Sequence, residues 1–211
     1  MIITISREFG CGGWDVARLL ARRLKYHLVD KEVIAAVARA AGVPYNAAAE
    51  RDEAVEGWMD RMAASLTLGA VEMGGVTTST GLSAKTALEH TQKTIRTYAE
   101  EDNAVILGRG AVVLLADHPH TLHAFLFAPL DWRTRQVMDR EKIPVEEAEA
   151  RIKYFDRQRS LYIKTYYHRD WRDPSLYDLG INMQRVGIEG AVELLTFALG
   201  RLAALGKQAV A

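Results

Sequence analysis

The sequence contains one cysteine, Cys11, which excludes an intrachain disulfide and a cysteine-rich zinc site. It carries no net charge: 27 basic residues balance 27 acidic ones. Nothing global therefore draws it to nucleic acid or to an anionic membrane. No stretch approaches the roughly 18 consecutive apolar residues of a membrane span. A basic leader followed by an apolar run is missing too, because a strand pattern starts at Ile2. The expectation is a cytoplasmic protein without a nucleic-acid or membrane partner. There is no internal repeat and no low-complexity segment. What is present is 211 residues, 49% of them hydrophobic, enough for one domain with a sizeable core.

A further absence is local. Ile2 to Ile5 reads as an apolar strand, Ser6 to Gly13 as a glycine-rich turn, and Asp15 to Leu24 as an amphipathic helix. Strand, glycine turn and helix N-terminus form the layout of a phosphate-binding loop, in which backbone N–H groups face an anion. The standard pattern is G-x-x-x-x-G-K-[ST]. With Gly12 as its second glycine, Arg7 stands at the first glycine, Gly13 at the lysine and Trp14 at the hydroxyl residue. The loop has no lysine.

Further along, strand and helix patterns alternate. His27 to Val29 is a strand, and Asp30 caps a helix running to Ala41. Glu53 to Leu68 and Ser83 to Glu101 read as helices, with a loop at Gly74-Gly75 and Thr77–Thr80. Ala104 to Leu107 is a strand leading into Gly108-Arg109-Gly110 and a helix from Ala111 to Ala116. Leu122 to Ala128 is a strand and Leu130 to Arg140 a helix. A long helix follows from Val145 to Tyr167, then a strand from Tyr177 to Met183 and a closing helix from Ile188 to Leu205. This alternation predicts an α/β fold, a parallel sheet with helices on both faces in three layers. Ligands then sit beyond the carboxyl ends of the strands. That rule groups the 6–15 loop, Asp30-Lys31, Gly108-Arg109-Gly110 and Pro129-Leu130-Asp131.

Several segments resemble the cytidylate-kinase-like family, a branch of the P-loop nucleoside monophosphate kinases. They are T-I-S-R-E-F-G-C-G-G (Thr4–Gly13), Y-H-L-V-D-K-E, V-I-L-G-R-G-A (Val105–Ala111), D-R-Q-R (Asp156–Arg159) and D-P-S-L-Y-D-L-G-I-N (Asp173–Asn182). The resemblance covers about residues 2–200. It implies a P-loop kinase fold and ATP with magnesium as phosphoryl donor. It also implies an acceptor-binding insertion, expected at 43–100, and a lid, expected at 143–173. CMP kinases carry an acid after the G-R pair, where this chain has Gly110, which weakens the case for CMP itself.

Gly10, Cys11, Gly12 and Gly13, flanked by Ser6, Trp14 and Asp15, are the candidates to hold the nucleotide phosphates. Cys11 is either a thiol of lowered pKa at the helix terminus or simply a small residue there. Arg7 either partly replaces the lysine, because a guanidinium binds phosphate bidentately, or pairs with Glu8 or a sheet-edge carboxylate. The magnesium ligands stay open, with Asp15 and Ser6 as candidates. Asp30 is a helix cap or additionally, with Lys31, an acceptor contact. Arg109 is an acceptor and catalytic candidate, or a strand-end ion pair.

Residues 151–172 carry seven basic groups and two acids. A lid brings such groups onto the transferring phosphoryl group; the bland alternative is a solvated helix face. Arg159 and Lys164 are the leading candidates there, followed by Arg157 and Arg151, and Asp156 shares a helix face with Arg159. His118, His120 and His123 lack accompanying acids or cysteines and do not read as a metal site. Asn182 borders the expected nucleotide site. Two functions follow: a kinase moving the ATP γ-phosphoryl group to a nucleoside monophosphate or similar small acceptor, or a nucleotide-binding regulator whose loop no longer catalyses. A kinase for an unrelated metabolite is a third. The Ala-rich helices at 53–73 and 188–205 are candidates for a homodimer contact.

Overall fold

The computed structural model describes residues 1–40 and 80–208. The expected helix at 53–68, the Gly74-Gly75 loop and most of the expected insertion lie outside the described residues.

Five strands form one sheet: β1 Ile2–Arg7, β2 His27–Val29, β3 Ala104–Leu107, β4 Thr121–Phe127 and β5 Leu179–Asn182. All pairings are parallel and the order is β2-β3-β1-β4-β5. β1 is central. Ile2 stands beside Ala104 on one side and Thr121 on the other. A strand with neighbours on both edges and layers on both faces must be apolar throughout, and Ile2, Ile3 and Ile5 are fully buried.

The helices are α1 Gly13–Leu24, α2 Lys31–Ala40, α3 Thr80–Glu100, α4 Ala111–Leu114, α5 Leu130–Glu141, α6 Val145–Tyr167 and α7 Met183–Gln208. The strands' period of two divides the core. Ile3, Ile5, Val105, Leu122, Ala124 and Leu126 pack against Val16 and Leu20 of α1 and Val192 and Leu195 of α7. Ile2, Ala104 and Ile106 point the other way, onto Ile34 of α2, Ile95 and Ala99 of α3, and Leu115. Alternation thus produces three layers from a single run of apolar residues. A third, smaller cluster joins Val137 of α5 to Ala148 and Ile152 of α6, with Phe9 against it.

The helix ends follow local chemistry. α1 has Asp15 in its first turn and Arg22 and Arg23 in its last, matching the helix dipole, and stops at Lys25 in a left-handed conformation. α7 bends at Gly187, whose backbone leaves helical geometry, so the long closing helix begins at Ile188 as its periodicity predicts. α4 is shorter than its pattern, ending at Leu114. The final strand is shorter too. Pro174–Leu176 forms a 3-10 turn capped by Asp173, and Asp178 accepts the His123 N–H, so the entry residues make turn contacts before pairing begins. Among the described residues, no helix is long and apolar enough to cross a membrane.

Ile95 is fully buried beneath the sheet, whereas Arg96 beside it is exposed. Ile95→Ala is expected to lower stability by about 2–5 kcal/mol, and Arg96→Ala by less than about 0.5 kcal/mol, read from urea unfolding midpoints.

Candidate functional site

The carboxyl ends of β1 and β3 bring the first two candidate groups together. The loop after β1 turns through Gly10 and Gly12, both at positive φ, and Gly12 caps α1 without a side-chain hydrogen bond. The Phe9 N–H donates to Asp156 Oδ1 at 2.7 Å and the Cys11 N–H to the Glu8 carbonyl. The amides of Gly10, Gly12, Gly13, Trp14 and Asp15 have no acceptor among the described residues. Five donors without acceptors surround one loop and helix start, and an anion satisfies such donors.

Arg7 runs across this loop. A Cβ added at Gly13 would lie 2.6 Å from Arg7 Cγ, and one added at Gly108 would strike the Arg7 guanidinium. The Arg7 side chain thus fills the volume that any side chain at position 13, the lysine position, would leave from. Glu8 does not pair with it. The Glu8 carboxylate binds Arg133 at 3.3 Å and Arg172 at 2.7 Å. No ion pair of Arg7 is found among the described residues. Burial pushes the Arg7 pKa well below its ordinary value, and the nearby charges of Arg159 and Arg109 push it further down. Arg159 is lowered to about 10, by burial above all, with Asp156 opposing the shift.

Arg109 stands in a three-residue turn, Gly108-Arg109-Gly110, in which every φ is positive. A non-glycine residue there is strained and held by its surroundings. Gly110 lies under Tyr167: an added Cβ would come within 2.7 Å of its Cζ. Tyr162 and Tyr166 complete an aromatic group with Tyr167. Burial raises the Tyr162 hydroxyl pKa, and the charge of Arg109 opposes that rise.

Arg133, a residue that sequence reasoning passed over, organises the opposite side. It is buried, donates to the carbonyls of Ala128 and Phe9, and binds Asp156 at 2.7 Å. Phe9 stacks on Phe155 of α6 at 4.3 Å between centroids. Arg159 Nη1 reaches the Arg7 carbonyl at 3.2 Å and its guanidinium lies 5.6 Å from the centre of the Phe9 ring. The signal for Arg133 was its place in the first turns after Pro129-Leu130-Asp131, at the carboxyl end of β4.

The other candidates divide. Asp30 caps α2 by accepting the N–H groups of Glu32 and Val33, and its second oxygen faces Trp14 Nε1 at 3.4 Å. Lys31 opens that helix. Asp156 is committed to Arg133, Phe9 and Arg159, so its expected acceptor contact gives way to a loop contact. Arg151 pairs with Glu141 and Glu147, eight residues and roughly 12 Å of helix before Arg159, and is not brought to the loop. Arg157 and Lys164 lie on the exposed face of α6. The Tyr177 hydroxyl donates to the Trp171 carbonyl at 2.7 Å, and Asp15 and Asp30 are the carboxylates at the start of α1 and at the end of β2. Asn182 accepts the Gln184 N–H in a turn. His118 and His123 bond to Thr121 and Thr4. Of the two readings of Cys11, the structure opposes the lowered pKa: burial, aided by Glu8, raises it to about 12, because the thiol faces the core rather than the helix dipole.

An open groove of about 550 Å³ adjoins the loop where α1 meets the bend of α7. It is lined by Asp15, Arg18, Leu19, Val186, Gly187, Ile188 and Glu189.

The family model described as the cytidylate kinase-like family matches residues 2–185. The chain belongs to the cytidylate kinase-like family. A cytidylate kinase from Haloarcula marismortui is 25% identical over 203 residues, covering 94% of this chain and 89% of that protein. One from Thermococcus kodakarensis is 36% identical over 110 residues, 51% of this chain and 55% of that protein. Among solved structures, an uncharacterised protein from Eubacterium ventriosum aligns with a TM-score of 0.69 and 28% identity, over 95% of this chain and 98% of that one. A shikimate kinase from Bacteroides thetaiotaomicron shares the fold, with a TM-score of 0.53 at 15% identity and the same coverage. The three-layer parallel architecture is thus that of the P-loop kinases.

Cys11 in the folded family member should not react with a disulfide reagent near pH 8 and should react freely in urea. Because its pKa rises on folding, its contribution to stability is complete below about pH 9 and is lost as pH climbs towards 12; Cys11→Ser should remove that component from the pH–stability curve. Asp156→Ala leaves Arg133 buried without its closest carboxylate and should cost about 3–5 kcal/mol in urea unfolding.

Proposed function

We propose that this chain transfers the ATP γ-phosphoryl group to a nucleoside monophosphate or a similarly small phosphorylated acceptor, with Arg7 in place of the loop lysine. The observation that carries the reading is the course of the Arg7 side chain through the space above Gly13. A lysine at 13 and an arginine at 7 compete for one volume, so the missing lysine is an exchange of position.

In this reading the amides of Gly10, Gly12, Gly13, Trp14 and Asp15 hold the donor phosphates, and the groove beside them takes the nucleoside end against Leu19, Val186 and Ile188. Arg7 and Arg159 stabilise the charge that spreads over the equatorial oxygens during transfer. Both cations are half-buried and repel each other, so an arriving polyanion relieves a cost already present in the fold. Arg109 and Lys31 orient the acceptor from the ends of β3 and β2. Helix α6, tied to Phe9, acts as a lid that keeps water from the transferring group. Asp15 and Asp30 would hold magnesium, through water, where it would neutralise donor phosphate charge. The second reading, a nucleotide-binding regulator, draws on Trp14 at the hydroxyl position and on the absence of a lysine from the loop.

The test is ADP formation from Mg-ATP against a panel of nucleoside monophosphates. Arg7→Ala should lower kcat by roughly 10²–10³-fold. Gly13→Lys alone should not raise activity, whereas Arg7→Gly combined with Gly13→Lys should recover part of it. Unchanged rate and nucleotide affinity in Arg7→Ala would sink the role given to Arg7. ATP binding by calorimetry without turnover on any acceptor would favour the regulator.

A further inference from the structure

Helix α7 presents two unlike faces after its bend. Ala191, Val192, Leu195 and Leu199 are buried in the core. On the other side Leu194 is 46% exposed and Phe197 70%, the largest exposure of any bulky apolar residue among the described ones. Val186 and Ile188 are also exposed, but they line the groove beside the phosphate loop. Leu194 and Phe197 line no groove among the described residues. Single exposed apolar residues are ordinary; the arrangement around this pair is not.

At 100° per residue, Glu193, Leu194, Gly200 and Arg201 all lie within about 60° of Phe197. Their spacing is symmetric about it. Glu193 stands four residues before and Arg201 four after. Leu194 stands three before and Gly200 three after, and a Cβ added at Gly200 would meet nothing within 4 Å. Glu193 and Arg201 are both exposed. When two such helices pair antiparallel about a two-fold axis, a residue a given distance before the axis faces the residue the same distance after it.

We propose that the chain forms a homodimer through this face, α7 against the α7 of a second copy, antiparallel, with the axis at Phe197. The two Phe197 rings meet at the centre. Leu194 of each copy enters the space left over Gly200 of the other. Each Glu193 carboxylate faces the opposite Arg201 guanidinium, so that opposite charges flank the apolar centre at both ends. This is the self-complementarity of an isologous contact. A second copy is the one partner for which the chain itself supplies every complement: ring, protrusion, gap and both signs of charge. The face from Gly190 to Ala204 is roughly 21 Å long. A single helix pair of that length falls at the low end of the interface sizes that support stable association, so dissociation on the order of micromolar is expected.

The test is sedimentation velocity on the full chain across a concentration series of about 1–100 µM, spanning that constant. The wild type should shift from its 23.5 kDa chain mass to twice that mass. Phe197→Glu, at an exposed site, should stay monomeric throughout while its circular dichroism is unchanged. Glu193→Arg and Arg201→Glu each set like charges against each other twice across the axis, and each should weaken association at least tenfold. The double variant Glu193→Arg with Arg201→Glu should restore it. These two residues are eight apart in one helix, beyond the spacing at which helical neighbours pair, so restoration reports a contact between chains. A wild type that is monomeric at every concentration overturns the proposal. So does a dimer indifferent to Phe197→Glu, or a double variant no better than the singles.

Discussion

Arg133 is the residue on which the rest of the site depends. Four separate pieces of chain meet at its guanidinium: the end of β4 through the Ala128 carbonyl, the loop after β1 through the Phe9 carbonyl and Glu8, helix α6 through Asp156, and its own helix α5. A buried arginine demands this many acceptors, since each unsatisfied N–H in a low-dielectric interior carries a penalty. Satisfying them fixes where α6 crosses the loop. Asp156 then lies within reach of the Phe9 amide, and Arg159, one turn later, reaches the Arg7 carbonyl. The position of α6 is therefore a hydrogen-bonding consequence of one side chain in the opposite wall, reinforced by the Phe9–Phe155 stack.

The electrostatics on the other side of the loop run in the opposite sense. Arg133 is matched by Glu8 and Asp156, whereas Arg7 has Arg109 and Arg159 as its strongest charged neighbours. The matched charges close one wall, and the mismatched ones leave Arg7 held chiefly against like charge. A cation held among cations raises the free energy of the empty site, and the chain meets that cost from its apolar layers, where Ile2, Ile3, Ile5 and Leu20 are fully buried.

Much of the scaffold was legible in the sequence because buried parallel strands leave long apolar runs separated by turn residues. β1, β3 and the start of the closing helix at Ile188 are examples. The turn from β1 into α1 was legible because glycines punctuate it. The ends of short elements were not: β5 starts late since Asp173 and Asp178 are used in turn and backbone contacts that no periodicity encodes. Within α6, basic residues look alike in one dimension, yet only Arg159 faces the loop, while Arg151 turns to two glutamates and Arg157 and Lys164 face outward. The Cys11 thiol was ambiguous because a loop position can face either the helix terminus or the core, and here it faces the core.

The contact between Gly110 and Tyr167 reaches beyond this molecule. Position 110 has no room for a side chain as long as the ring at 167 stays where it is. Residues 57 positions apart therefore share one volume, and they can change only as a pair. Within the family, a chain with an acidic side chain at 110 should have a smaller residue at 167, and a chain with a large ring at 167 should keep glycine at 110. The two columns of such a comparison would sort members by which element, the turn after β3 or helix α6, fills the volume between them.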